Sequence, residues 1–203
     1  MKILSIIISK TVHNIVKLVK GSTSHIGGVI ALKIDKNILK KLQKPEIIIT
    51  VTGTNGKTTV TNLATDLLEL LINEQKLREE LKSKKKPIER TSIDIEDIKK
   101  NKRLYVISNK AGSNLKAGIV DTLITNSNIF GKLKKNRANI AIFEVDERVS
   151  PYIYNDIQPK YTIITNILRD SVKRNANTDY IVNILDRKYP RGNKNYSKSV
   201  MIL

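Results

Sequence analysis

The sequence predicts an α/β fold, a P-loop-type parallel sheet with flanking helices, and three observations carry that reading. A β-branched run (Ile47, Ile48, Ile49, Val51) stops abruptly at Gly53-Thr54-Asn55-Gly56 and is followed by Lys57, Thr58 and Thr59. Behind the loop, Val60, Leu63, Ala64, Leu67 and Leu71 recur at helical spacing on one side of a segment long enough for several turns. Further short apolar runs, each ending in polar residues, alternate with helical stretches downstream, the pattern of a parallel sheet.

Strand, glycine loop and helix together make an anion cradle. The glycines let the backbone turn tightly, successive N–H groups and the helix N-terminus point at the anion, and Lys57 adds a full positive charge. Gly53, Thr54, Asn55, Gly56, Lys57, Thr58 and Thr59 are therefore the candidate phosphate-binding residues, with the Thr58 hydroxyl placed to reach a magnesium ion riding on the phosphates. A plain glycine turn with a surface lysine does not account for Gly56, Lys57 and two hydroxyls all lying at the strand-to-helix junction. The common GxxxxGK[ST] pattern wants glycine at position 51, which is Val51, so this loop is a shorter version.

At 203 residues the chain suits one domain, or one and a fraction, and its 40% hydrophobic content suits a globular core. It has no cysteine, hence neither disulfides nor thiolate metal sites. The formal charge of +18 invites a nucleic-acid reading. Against it, the lysines are dispersed among isoleucines and asparagines, and the seven tyrosines and two phenylalanines offer few stacking platforms. No nucleic acid is expected as a partner. A basic surface equally suits ATP, pyrophosphate-bearing substrates or an anionic membrane face.

Before the loop, residues 2–19 place Leu4, Ile8, Val12, Ile15, Val16 and Val19 on one side of a helix. Lys10 and Lys17 make it too charged for a membrane span, and the helix either packs on the domain or lies at a membrane surface. His13 reads as an ordinary boundary residue on it. A glycine-serine loop and two short helical pieces follow, VIALKI and NILKKL; His25 in that loop has no evident partner. After the loop helix, residues 74–103 are charge-dense and read as the helix running out into a solvated excursion, with a short helix near Ile95. Residues 104–107, 139–143 and 161–165 read as the second, third and fourth strands, with a helix over Ile119, Val120, Leu123 and Ile124 after the second.

In parallel sheets ligands gather at the carboxyl ends of the strands. Here those ends are 52–59, 108–114, 144–147 and 166–170, all polar. Glu144, just past a buried strand and on the edge that carries the phosphate loop, is the candidate oxygen ligand for magnesium; Asp146 is the better helix cap. Asn114 reads equally as a phosphate or metal-water ligand and as plain turn chemistry.

Four motifs break the tie. TGTNGKTT (52–59), SNKAGSNLKAGI (108–119), IFEVDE (142–147) and TNILRD (165–170), with the lead-in ALKIDKNILKKL (31–42), resemble the ATPase half of the MurT family within the Mur ligase superfamily. The resemblance implies an incomplete Mur ligase central domain over 45–186, a helical lead-in at 1–44, a charged insertion at about 74–103 and an unstructured polar tail at 187–203. It also implies an ATP-dependent, amide-forming carbon–nitrogen ligase of peptidoglycan synthesis that amidates the D-glutamate α-carboxyl of lipid II through an acyl phosphate. A GatD-like glutaminase would supply the ammonia, at a cytoplasmic site peripheral to the inner face of the membrane.

By that resemblance Lys57 and Glu144 are the catalytic residues, Thr58 and Glu144 hold Mg²⁺, and Asn114 and Asn166 join the loop in binding ATP. The zinc ribbon and C-terminal domain of that family are not matched, so the chain alone is expected to be incomplete and inactive. After TNILRD the residues Ser171, Lys173 and Asn175 depart from the family pattern. The alternatives are a truncated, non-catalytic nucleotide-binding remnant, or another Mur-superfamily ligase such as a folylpolyglutamate synthase relative.

Overall fold

The computed structural model describes residues 1–20, 25–83, 103–109 and 115–168, with short pieces at 179–180, 182–183 and 199–202. The elements run α1 (Lys2–Lys20), α2 (Ile26–Ile34), α3 (Ile38–Lys41), β1 (Ile47–Thr52), α4 (Lys57–Ser83), β2 (Tyr105–Ser108), α5 (Lys116–Thr125), β3 (Arg137–Glu144), α6 (Ser150–Ile157), β4 (Tyr161–Ile164) and β5 (Ser199–Ile202). The strands form one sheet in the order β2-β3-β1-β4-β5, with every pairing parallel. β1 thus lies between β3 and β4, with Val51 opposite both Glu144 and Ile163.

Both faces of the sheet are covered, which is why the strands read as continuous apolar runs. Alternate residues divide between two cores. Ile48, Ile107, Ala141 and Phe143 pack with Ile6, Ala31, Leu39, Ile119 and Ile153, from the helices on one side. Val51, Val106, Ala138 and Ile142 pack with Val60, Ala64, Leu68 and Ile72 of α4 on the other. The 3.6-residue and 2-residue periods thus meet in two layers around a single sheet.

Several expectations need correction. Of the apolar stripe assigned to α4, Val60 and Ala64 pack on the sheet, but Leu63, Leu67 and Leu71 are 59%, 51% and 56% exposed, while Thr61, Thr65, Glu69, Asn73 and Leu77 are buried. The cause is the outer edge of β2. Among the described residues no strand pairs with that side, and side chains of α4 satisfy backbone groups there: Glu69 Oε1 accepts from the Val106 N–H (3.0 Å), and Asn73 exchanges two hydrogen bonds with the Leu104 backbone (2.8 and 2.9 Å). Glu69 and Asn73 are inside because they satisfy the backbone of this strand.

The stripe assigned to α1 is displaced as well. Ser5, Ile6 and Ser9 face inward, whereas Leu4, Ile15 and Val19 are exposed. Small serines let α2 approach: a Cβ on Gly27 would come within 3.0 Å of Ser9. His13 is no ordinary boundary residue, since its Nδ1 lies 3.0 Å from Asp121 of α5. Burial among these helices pushes the Asp121 carboxyl above its usual range, with His13 pulling it back.

The charge-dense stretch does not end the helix at Glu74. α4 continues to Ser83, laced by Arg78–Glu74 (2.7 Å) and Lys76–Glu80 (3.9 Å) pairs at i, i+4. Within the supposed unstructured tail, Ser199–Ile202 forms β5 on β4. α6, which makes the crossover from β3 to β4, starts at Ser150 with Val149 at its N-cap, where Asp146 is expected from the sequence. The helix expected near Ile95 lies outside the described residues.

Candidate functional site

The glycine loop is shaped by two neighbours, β1 behind it and the exit of β4 beside it. Gly53 has φ +127° and Gly56 φ +79°, both in the region that disfavours side chains. Gly53 is also packed tightly, for a Cβ there would meet the Asn166 carbonyl oxygen at 2.6 Å. The residues after β4 then lace the loop down. Asn166 O accepts from the Thr54 N–H (2.8 Å), Asn166 Oδ1 from the Asn55 N–H (2.9 Å), and Thr165 Oγ1 donates to Asn55 O (2.6 Å). Thr54 and Leu168 exchange a further pair, at 3.2 and 3.0 Å.

Lys57 opens α4 with its side chain folded over the loop. Its ammonium donates to Gly53 O (2.5 Å) and Thr54 O (3.0 Å) and lies 3.8 Å from Glu147. The loop carbonyls thus wrap the Lys57 ammonium. An arriving phosphate offers this ammonium stronger, charged acceptors than the two carbonyls. Thr59 is exposed on the same turn.

Across the crevice, Glu144 ends β3 and is buried, 6% exposed as a residue. Its backbone is held by Asn109 from the exit of β2, whose amide accepts from the Glu144 N–H (2.8 Å) and donates to its carbonyl (2.9 Å). Glu144 Oε2 then accepts from Thr58 Oγ1 at 2.7 Å. A hydroxyl and a carboxylate in contact are two hard oxygen donors within reach of one small ion. That donor set fits Mg²⁺, which keeps most of its shell as water and phosphate oxygens. Among the described residues no three His, Cys, Asp or Glu side chains gather as a metal cage.

Of the residues singled out in the sequence, Gly53, Thr54, Asn55, Gly56, Lys57, Thr58, Thr59, Glu144 and Asn166 come together at this sheet edge. Asn166 turns its amide to the loop backbone rather than to the crevice, so it braces the cradle. Asp146 stays with its own turn, accepting from the Arg148 N–H (3.0 Å). Asn114, and with it Arg169, Asp170, Ser171, Lys173, Arg174 and Asn175, lies outside the described residues. Sequence reasoning missed Glu147, Asn109 and Thr165. Their polar strand-end positions were visible, but nothing in the spacing said that one would face Lys57 and the others would fix Glu144 and the loop.

A parallel sheet with this loop feeding α4 and an acidic residue at the end of the adjacent strand defines an α/β domain of the phosphate-loop class. Residues 51–184 match the family model described as Mur ligase middle domain, and the chain belongs to that family of ligases. It is similar to the MurT subunit of lipid II isoglutaminyl synthase (glutamine-hydrolyzing) from Streptococcus pneumoniae (strain ATCC BAA-255 / R6), with 33% identity over 158 residues, 78% of this chain and 27% of that protein. The subunit of the same name from Staphylococcus aureus (strain COL) is 27% identical over 181 residues, 85% of this chain and 33% of that protein. The chain therefore spans about a third or less of the length of these curated relatives.

Proposed function

We propose that this chain is the ATP-binding part of a MurT-like amide ligase of peptidoglycan synthesis, which amidates the D-glutamate α-carboxyl of lipid II. Residues 45–186 form its ATP-binding domain and 1–44 a helical lead-in. The observation that carries the reading is the 2.7 Å contact between Thr58 and Glu144 beside the Lys57 loop. The similarity to subunits named for a glutamine-hydrolyzing synthase supports the choice of reaction.

In this reading the loop N–H groups and Lys57 hold the β- and γ-phosphates of ATP and neutralise the charge that builds as the γ-phosphoryl leaves ADP. Mg²⁺, when bound, supplies further neutralisation of the phosphate oxygens, and Thr58 and Glu144 are the residues that would hold it. The substrate carboxylate oxygen attacks the γ-phosphorus, giving an acyl phosphate and ADP. Ammonia then attacks the acyl carbon, inorganic phosphate departs, and the amide forms with loss of a proton. A GatD-like glutaminase partner releases that ammonia from glutamine. The site is cytoplasmic and peripheral to the membrane face where lipid II is presented. Asn114 is a further nucleotide ligand in this reading.

The test is an amidation assay with lipid II, glutamine, ATP and the glutaminase, run on this chain alone and with a fragment supplying the rest of the ligase. No product alone and product on complementation support the reading. Product from the chain alone contradicts its partial character. MgATP binding without product in the complemented assay identifies a non-catalytic nucleotide-binding remnant.

A further inference from the structure

α1 carries a row of apolar side chains outward. Leu4, Ile7, Ile15 and Leu18 lie on one stripe and are 53%, 44%, 53% and 86% exposed, with Val19 beside them at 77%. The polar residue in the middle of this stripe, Thr11, donates its hydroxyl to the Ile7 carbonyl (3.1 Å), so the helix itself satisfies it and it enters an apolar layer at reduced cost. α1 contains Lys2, Lys10, Lys17 and Lys20 and no acidic residue. Among the described residues no helix is long and apolar enough to cross a membrane.

We infer that the outward face of α1 is an interfacial docking surface, seated in the headgroup region of an anionic phospholipid bilayer. A helix with one apolar face, basic residues and no acidic ones lies in the plane of such an interface. Charge decides between occupants. Pairing the face with a second copy would bring together two bodies of formal charge +18, whereas an anionic bilayer attracts the same charge.

The direction of α1 gives the docking a consequence. Lys10 donates to the Ser127 carbonyl just past the end of α5, and His13 meets Asp121 within α5, so α1 runs antiparallel to α5. α5 starts at the exit of β2. The Ile15–Val19 end of α1 therefore lies toward the strand edge that carries the glycine loop. Docking would hold that edge near the lipid surface, which deepens the proposed reading and rests on it only for the substrate.

The experiment is flotation of the chain with phosphatidylcholine vesicles, with and without phosphatidylglycerol, at low and high salt, with MgATP binding measured on the same samples. The charge-neutral variant Leu4→Ser/Ile15→Ser/Leu18→Ser changes only exposed side chains; Leu18→Ser alone is the second variant, expected to fall between it and the native chain. The native chain is expected to bind phosphatidylglycerol vesicles and to stay bound when salt screens its charge, and the triple variant to bind at least about tenfold more weakly. Undiminished binding by the triple variant, no binding by the native chain, or a dimer that the variant dissolves would overturn the inference. Docking without MgATP binding would refute the proposed function and leave the docking surface standing.

Discussion

Thr58, in the first turn of α4, donates a 2.7 Å hydrogen bond to Glu144, at the end of β3 and 86 positions further along the chain. The two are joined because β1 and β3 are neighbours in parallel register, which brings the start of α4 and the end of β3 to one edge. In the proposed reading this pair would hold Mg²⁺. Glu144→Gln and Thr58→Ala should each weaken MgATP binding by about 10- to 100-fold, the range expected for losing one charged or charge-assisted contact. The effects should fall short of additivity in the double variant, because both act on one ion. Titrations at varied magnesium concentration check this, with metal-free ATP binding expected to change little.

The bracing of the loop by the β4 exit predicts a different signature. Gly53→Ala forces a side chain into a positive-φ position and against the Asn166 backbone, and should cost about 1–3 kcal/mol of stability together with most nucleotide affinity. Asn166→Ala removes two contacts to Asn55 and leaves the loop's fold possible, so its main effect should be on affinity. Chemical denaturation and nucleotide titration of both variants separate the two cases.

Acid stability should depend on a pair far from the site. Buried Asp35 accepts from Lys41 Nζ at 2.7 and 3.0 Å, and this hydrogen bond holds its carboxyl below the ordinary 3.8. A depressed folded-state value means that the contribution is complete above the unfolded value and is lost as pH falls through the folded one. Lys41→Met should therefore lower Tm at neutral pH by roughly 2–4 °C. The gap from the native chain should close as the pH falls below 3.8, which melting curves across that range would reveal.

What could be seen in the sequence was whatever depended on neighbouring residues. The strand and loop at 47–59 are local, since β-branched residues, glycines and a lysine carry their chemistry without tertiary help. The helix faces were not legible in that way. Leucine spacing on α4 is helical, yet Glu69 and Asn73 are buried because they bond to the backbone of β2 at the edge of the described sheet, a fact of topology. The same holds for α1, whose inward side follows the close approach of Gly27 to Ser9. β5 was missed because Val200, Met201 and Ile202 are too short an apolar run to stand out, and only β4 gives them a partner. In the site, Glu144 was visible as an acid after a buried strand. Glu147 was not, because its proximity to Lys57 arises only when the turn before α6 folds back.

Lys57 offers the sharpest prediction for the loop itself. Its ammonium now rests on two loop carbonyls, contacts that a nucleotide would replace, so Lys57→Ala should leave the fold nearly as stable while removing a full charge from the phosphate site. Thermal melting without ligand, compared between the two chains, checks the first half of that statement.

Calorimetric titration of MgATP into the folded native chain and into Lys57→Ala tests the account most directly. Saturable, magnesium-dependent binding at one site, weakened at least about tenfold in the variant, is the predicted result. A folded native chain that gives no binding heat, or a variant that binds as well as the native chain, would contradict it.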